Sequence, residues 1–134
     1  MPEDIQPDRQ ALAISAEALY LLNLLFPILP LLALLLIHFK NHNTYTVFLQ
    51  SHTVQPLIAA LLSTALFIII NVVAYLTGGY TSMDSLISIH SLIALEAYTL
   101  VVIIPFSVPG LIGVTKAMAG QSWRYPLIGR LLRI

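Results

Sequence analysis

Charged side chains are nearly missing from the middle of this sequence, and this feature restricts the fold more than any other. Between Glu17 and Lys116, only Lys40, Asp84 and Glu96 are charged. Over the whole chain 9% of the residues are charged and 58% are hydrophobic, whereas soluble proteins carry roughly 25% charged residues. Because so few charged side chains cannot cover the exterior of a soluble domain, the sequence predicts an integral membrane protein.

Three apolar segments are long enough to cross a bilayer as helices. They run over residues 18–39, 56–76 and 85–109. About 20 residues, each rising about 1.5 Å, span the ~30 Å hydrocarbon core. Pro27, Pro30 and Pro105 predict kinks in the first and third helices, while Pro56 is expected at the first position of the second. We therefore expect an all-α membrane protein with three transmembrane helices, forming a single membrane domain over residues 1–134.

The remaining segments are predicted to lie outside the hydrocarbon core. Residues 1–16 are polar and acidic, the third helix is expected to continue at the interface to residue 119, and residues 121–134 form an amphipathic interfacial tail. Aromatic and basic side chains favour the headgroup region. The predicted anchoring residues of the tail are Trp123, Arg124, Tyr125, Arg130 and Arg133.

The basic residues predict an orientation. In a three-span arrangement Lys40, Lys116 and the tail arginines fall on one side, and only Arg9 falls on the other. Since cytoplasmic loops are enriched in Lys and Arg, we expect the C-terminus in the cytoplasm. The N-terminus and the turn at Gly78 and Gly79 are expected outside.

Glu96 is the candidate for an intramembrane polar site, because it falls inside the third predicted span. A carboxylate at mid-helix costs about 2.5–3.5 kcal/mol on insertion scales. We expect a neutral or hydrogen-bonded Glu96 that joins helices within the bundle or to a partner subunit, with Asn71 and Asn23 as candidate partners. A proton or ion site is the alternative.

The histidines raise the question of a metal site. His38 and His42 are four residues apart and share a face if the first helix continues, and His52 follows in the same loop. Imidazole suits zinc, copper or iron, but interfacial histidines are more often solvated and no cysteine or nearby carboxylate completes a ligand set. We therefore predict no metal and no other cofactor.

Catalytic motifs are missing from the sequence as well. It contains no HExxH motif, no GxSxG motif and no phosphate-binding glycine-rich loop. The formal net charge is +0, which does not favour nucleic acid as a partner. The sequence therefore does not predict an enzyme.

Two stretches resemble a family of small bacterial membrane proteins of unassigned function, which is distantly similar to the import-channel component of the chloroplast inner envelope. These are KAMAGQSWRYPL, residues 116–127, and FLQSH, residues 48–52. The resemblance implies three or four spans and no established enzymology.

The function expected from these features is that of a non-enzymatic accessory or assembly subunit. Such a subunit docks onto other integral membrane proteins by lateral helix contacts and also contacts lipid, and it can form a homo-oligomer. An oligomeric conduit for protein, ion or small solute is the first alternative. A metal or cofactor binder that uses the cytoplasmic-side histidines is the second.

Overall fold

The computed structural model of this protein describes residues 6–131, and within that range the side chains of all residues except Thr44 and Ser85. The described chain is helical and has no β-strand. The α-helices are α1 (Pro7–Leu25), α2 (Leu29–Asn41), α3 (Val47–Leu76), α4 (Ile89–Tyr98), α5 (Ile104–Met118) and α6 (Ile128–Leu131). Short 3-10 turns cover His42–Thr44 and Asp84–Leu86, and a π-helical turn, Thr99–Ile103, joins α4 to α5.

The first apolar segment is broken between α1 and α2. Pro27 has no amide hydrogen to continue α1, and Ile28 has a φ of +89°, a conformation that costs a β-branched residue about 1–3 kcal/mol. The Asn23 Oδ1 atom accepts hydrogen bonds from the amides of Ile28 and Leu31, both at 3.1 Å. In a straight α-helix residue 31 would lie about 12 Å further along the axis than residue 23, so the chain turns back at the break.

Helix α2 runs antiparallel to α1. Ala13 of α1 packs in one apolar cluster with Phe48, at the start of α3. The six steps from Asn41 to Val47 cover about 20 Å at most, whereas a straight continuation of α1 would place Asn41 roughly 40 Å from Ala13. Helices α1 and α2 therefore form a hairpin, and not the single kinked span predicted over residues 18–39.

The other helices align along α1. Helix α3 runs parallel to it, since Asn23 donates from Nδ2 to Thr64 Oγ1 at 2.9 Å while Glu17 contacts His52 further down. The segment from α4 to α5 runs antiparallel to α1. Three side-chain bonds to backbone carbonyls mark its direction: Tyr98 to Leu24, Tyr20 to Phe106, and Gln10 to Met118, at 2.7, 2.6 and 2.7 Å. The topology is thus up, down, up, down.

Helix α3 begins nine residues before the predicted start at Pro56. The hydroxyl of Thr46 accepts a hydrogen bond from the amide of Leu49 and caps the helix. Pro56 lies inside the helix, where it removes one backbone hydrogen bond. Residues 47–55, which precede the predicted second span, are therefore the first turns of α3.

Pro105 and Pro109 do not end the last long helical segment. The π-helical turn widens the helix just before Pro105, which then occupies the first turn of α5. The helical segment runs on from Ile89 to Met118, which agrees with the predicted continuation of the third helix to residue 119. Within the described residues, Val47–Leu76 and Ile89–Met118 are the two helices long and apolar enough to cross a membrane.

The hairpin places both described ends of the chain at the same end of the bundle. The side chain of Gln10 bonds the carbonyls of Ala117 and Met118, so the start of α1 lies beside the end of α5. This differs from the three-span prediction, which separated them. The bases of the described chain gather there too: Arg9, Lys40, Lys116, Arg124 and Arg130. We call this the basic end.

We expect site-directed labelling to show this topology. The chain has no cysteine, so single cysteines can be placed at Asp8→Cys and Ser122→Cys at the basic end, and at Met83→Cys at the opposite end. All three positions are exposed. A membrane-impermeant maleimide applied to oriented vesicles should label Asp8→Cys and Ser122→Cys from one side and Met83→Cys from the other. Joint labelling of Asp8→Cys and Met83→Cys would contradict the hairpin.

We also expect Asn23 to stabilise the helix break strongly. The change Asn23→Leu leaves two backbone amides and the Thr64 hydroxyl without their partner, at about 1–3 kcal/mol for each buried group. The free energy of unfolding in detergent, followed by circular dichroism, should therefore fall by about 3–9 kcal/mol. Asn71→Leu is the matched control and should cost less, because Asn71 bonds only Tyr80 outside its own helix. Equal losses would show that Asn23 does not hold the break.

Candidate functional site

A buried carboxyl group lies at the centre of the basic end. Glu17 is 0% exposed and belongs to a stripe of α1 that repeats every three or four residues. The buried members of that stripe are Ala13, Ala16, Glu17, Tyr20, Asn23 and Leu24. Gly113 of α5 faces the carboxylate, and a Cβ atom there would overlap the Glu17 oxygens. Helix α5 can therefore approach α1 closely only because residue 113 is glycine.

His52 and Tyr125 bind the two oxygens of Glu17. The His52 Nδ1 atom lies 2.8 Å from Glu17 Oε1, and the Tyr125 hydroxyl donates to Glu17 Oε2 at 2.5 Å. The other ring nitrogen of His52, Nε2, lies 2.7 Å from the carbonyl oxygen of Gln121. One carboxyl group thus connects α1, α3 and the segment after α5.

The partners of this site determine how many protons it holds. The carbonyl of Gln121 can only accept, so His52 Nε2 carries a proton and donates. A single proton then lies between His52 Nδ1 and Glu17 Oε1. The pair is either imidazolium with carboxylate or neutral imidazole with carboxylic acid, and its net charge is zero in both forms. A neutral pair can be buried without an uncompensated charge.

The phenol of Tyr125 stays protonated in this setting. Burial raises the pKa of Tyr125 well above its usual range, and the adjacent carboxyl group of Glu17 raises it further. The hydroxyl therefore acts as a hydrogen-bond donor to Glu17. The phenol of Tyr125 therefore does not titrate near neutral pH, and its hydrogen bond to Glu17 is kept.

Polar side chains of α3 hold the segment that follows α5. Residues 121–125 have no regular secondary structure and contact α3. Gln55 accepts from the Tyr125 amide at 2.5 Å and donates to the Trp123 carbonyl at 3.0 Å. The Trp123 amide donates to the Ser51 hydroxyl at 3.5 Å. These side chains satisfy a backbone that has no neighbouring strand, which is why an irregular segment can be buried.

The two stretches that carry the family resemblance meet at this site. Residues 48–52 supply Ser51 and His52, and residues 116–127 supply Gln121, Trp123 and Tyr125. Their contact explains in physical terms why polar residues occur in both stretches: each satisfies hydrogen-bonding groups of the other.

The geometry of the site suits a structural role. Glu17 and His52 are fully buried, and both ring nitrogens of His52 have partners. No cysteine is present, and the described residues contain no group of three or more His, Asp or Glu side chains placed to hold a metal ion. The site is a closed hydrogen-bond network that joins three parts of the chain.

The three weak metal candidates do not come together. The rings of His38 and His42 lie 5.9 Å apart, and each forms a local contact, His38 with the Tyr45 hydroxyl and His42 with the Phe39 carbonyl. His52 is not in their loop, because α3 starts before it and turns it toward Glu17. The three histidines therefore do not form one group among the described residues, although His38 and His42 are neighbours.

The polar residues predicted to meet inside the membrane, Glu96, Asn71 and Asn23, do not bond one another. Glu96 is exposed on α4, and no hydrogen bond links its side chain to another described residue. Asn71 accepts from the Tyr80 hydroxyl at 2.9 Å, and Asn23 holds the α1–α2 break. Neither asparagine is a partner of Glu96.

The predicted anchoring residues of the tail divide into two groups. Tyr125 is 1% exposed and Trp123 is half-buried against the core, so Tyr125 packs inside the protein and not at a headgroup. The reason is the hydrogen bond to Glu17, which draws the segment inward. Arg124 and Arg130 are exposed, and Arg133 lies outside the described residues.

Comparison with models of protein families, with curated proteins and with solved structures gives no match. The function is therefore argued from the geometry alone.

Glu17 is not predicted from the sequence as a site residue. Its helical period holds a signal, because Glu17 falls on the same stripe of α1 as Ala13, Ala16 and Tyr20. The partners His52 and Tyr125 are 35 and 108 residues away, and no local pattern identifies them.

We expect Glu17→Gln to be tolerated and Glu17→Leu to be destabilising. The amide of glutamine can donate to His52 Nδ1 and accept from Tyr125, so every bond of the neutral pair is kept. Leucine leaves two buried polar atoms unpaired, at about 1–3 kcal/mol each. Denaturant unfolding in detergent should show this difference. If Glu17→Gln lost as much stability as Glu17→Leu, the pair would need a charged carboxylate.

Proposed function

We propose that this protein is a non-enzymatic accessory or assembly subunit of a larger membrane complex, and that it docks through the exposed face of α4 around Glu96. The observation that carries the proposal is the carboxyl group of Glu96, which is exposed on an apolar helix without a partner among the described residues. The closed network at Glu17 supports a structural rather than a catalytic reading.

The surroundings of Glu96 are apolar. Ile89, Leu92, Ile93 and Leu100 recur at helical spacing with it, and each is more than half exposed. In a bilayer, this face would hold a carboxyl group against lipid at a cost of about 2.5–3.5 kcal/mol. A partner helix that offers a hydrogen-bond donor or a base at this depth would remove that cost.

A foreign partner fits this surface better than a second copy does. The bases of the described chain lie at the basic end, while Glu96 belongs to a helix that starts at the opposite end. In a parallel dimer with a two-fold axis along the bundle, Glu96 of one copy would face Glu96 of the other. Two carboxyl groups compensate each other less well than a carboxyl group and a base.

The orientation proposed here follows from the basic end. Because Lys and Arg are enriched on the cytoplasmic side, the basic end, with the start of α1 and the end of α5, is assigned to the cytoplasm. The turn that contains Asp84 is then outside. A bacterial inner membrane is the proposed location, on the basis of the family resemblance.

Purification under native conditions, with variants at Glu96, tests this function. The protein should co-purify in mild detergent with one stoichiometric membrane partner, and Glu96→Gln should keep it, because glutamine retains the hydrogen-bonding capacity of a protonated acid. Glu96→Leu should lower the recovered partner by about 3- to 30-fold, the equivalent of about 0.6–2 kcal/mol for an interhelical hydrogen bond. Quantitative mass spectrometry measures the ratio.

Thr99→Val is the matched control, since it removes a nearby hydroxyl that bonds only the Leu95 carbonyl of the same segment. This variant should keep the partner. The thermal stability of purified Glu96→Leu should equal that of the unchanged protein, which separates lost docking from lost folding. Full recovery of the partner with Glu96→Leu would refute docking at this face, and loss with Glu96→Gln would mean that the partner requires an ionised carboxylate. An assembled but inactive complex with Glu96→Gln would favour an ion-coupled role.

A further inference from the structure

An apolar groove runs along the outside of the bundle near the basic end. It lies between α3, α5 and the segment before α6, and its volume is about 340 Å³, within the ~300–1,000 Å³ range of small-molecule sites. Its walls include Ala59, Leu62, Pro105, Val108, Pro109 and Ile128. Leu62 and Val108 are 47% and 55% exposed, so the groove opens to the exterior between them.

The surface that the groove presents to a ligand is apolar. Tyr20 and Tyr125 contribute to its lining, but their hydroxyls are engaged elsewhere, with the carbonyl of Phe106 and the carboxyl group of Glu17. The surface presented to a ligand is thus aromatic and aliphatic. Such a surface suits a hydrocarbon chain, which it contacts by van der Waals packing.

Two basic residues adjoin the lining segment of the groove in sequence. Arg124 and Arg130 are exposed, and they precede and follow the lining residues 126–128 along the chain. The stem of Arg124 packs against Gly129, where a Cβ atom would overlap its Cγ atom. The basic end carries five bases in the described chain, and Asp8 is its one exposed acid there. A ligand that is apolar along its length and negative at one end matches this arrangement.

We propose that the groove binds an anionic phospholipid, with one acyl chain against Leu62, Val108 and Ile128 and the phosphate headgroup on Arg124 and Arg130. This site is separate from the α4 face around Glu96 and does not depend on the docking function. Guanidinium groups suit phosphate because their donors match its oxygens in pairs.

The single tryptophan of the chain allows a direct test. The rings of Trp123 and Tyr125 are in contact, with centroids 5.0 Å apart and a tilt of 52° between their planes. Tyr125 in turn lines the groove. The full-length protein is reconstituted in phosphatidylcholine vesicles that contain increasing fractions of phosphatidylglycerol with brominated acyl chains, and Trp123 fluorescence is recorded. Vesicles in which the phosphatidylcholine carries the bromine serve as the comparison.

We expect brominated phosphatidylglycerol to quench Trp123 several-fold more than its mole fraction alone would produce. The double variant Arg124→Gln with Arg130→Gln should lose this excess, and Arg124→Lys with Arg130→Lys should retain most of it. Val108→Phe, which narrows the groove and keeps the charges, should reduce it. Lys40→Gln is the matched control, an exposed base at the same end but outside the groove, and should leave it unchanged.

Three results would overturn the proposal. Equal quenching by the two brominated lipids would mean that the groove does not select an anionic lipid. An equal loss with Lys40→Gln would mean that the whole basic end attracts the lipid. Disulfide-linked dimers of Leu127→Cys, combined with no quenching by brominated phosphatidylglycerol, would mean that a second copy fills the groove. The partner measurements at Glu96 are unaffected by any of these results.

Discussion

The shared proton between Glu17 and His52 is the interaction on which the rest of this structure depends. It joins a helix from the start of the chain to α3, and through Gln121 and Tyr125 it fixes the segment after α5 to both. Because the pair is neutral overall, it can lie in a fully buried position. Its second requirement is a glycine at residue 113, since any side chain there would collide with the carboxylate.

The α1–α2 hairpin is the second device that shapes the bundle. Asn23 replaces the backbone hydrogen bonds that the break removes and at the same time bonds α3 through Thr64. A break inside an apolar environment needs such internal partners, because lipid offers none. Helix α4 presents exposed apolar side chains, and the exposed Glu96 lies among them.

The two ends of the bundle therefore differ in the contacts they can make. The basic end has a satisfied polar core, an apolar groove and exposed arginines, which suits a lipid. The exposed face of α4 is apolar around one carboxyl group, that of Glu96, which suits a protein partner. In both cases the proposed ligand complements exposed side chains. A negative lipid headgroup complements the exposed arginines, and a hydrogen-bond donor or base of a partner helix complements Glu96.

The sequence by itself determined the helical class and the two long apolar helices, because charge-free stretches of this length can satisfy their backbone only as helices in an apolar setting. It also singled out Asn23 and Glu96 as unusual. Only the tertiary structure decided that Pro27 reverses the chain, that Pro56 and Pro109 stay inside helices, and that Tyr125 is buried. Proline removes one amide wherever it occurs, and whether the helix bends, continues or turns back depends on which side chains lie close enough to replace that bond. The Glu17 site likewise depends on residues up to 108 positions apart, whose contact arises from packing and not from local pattern.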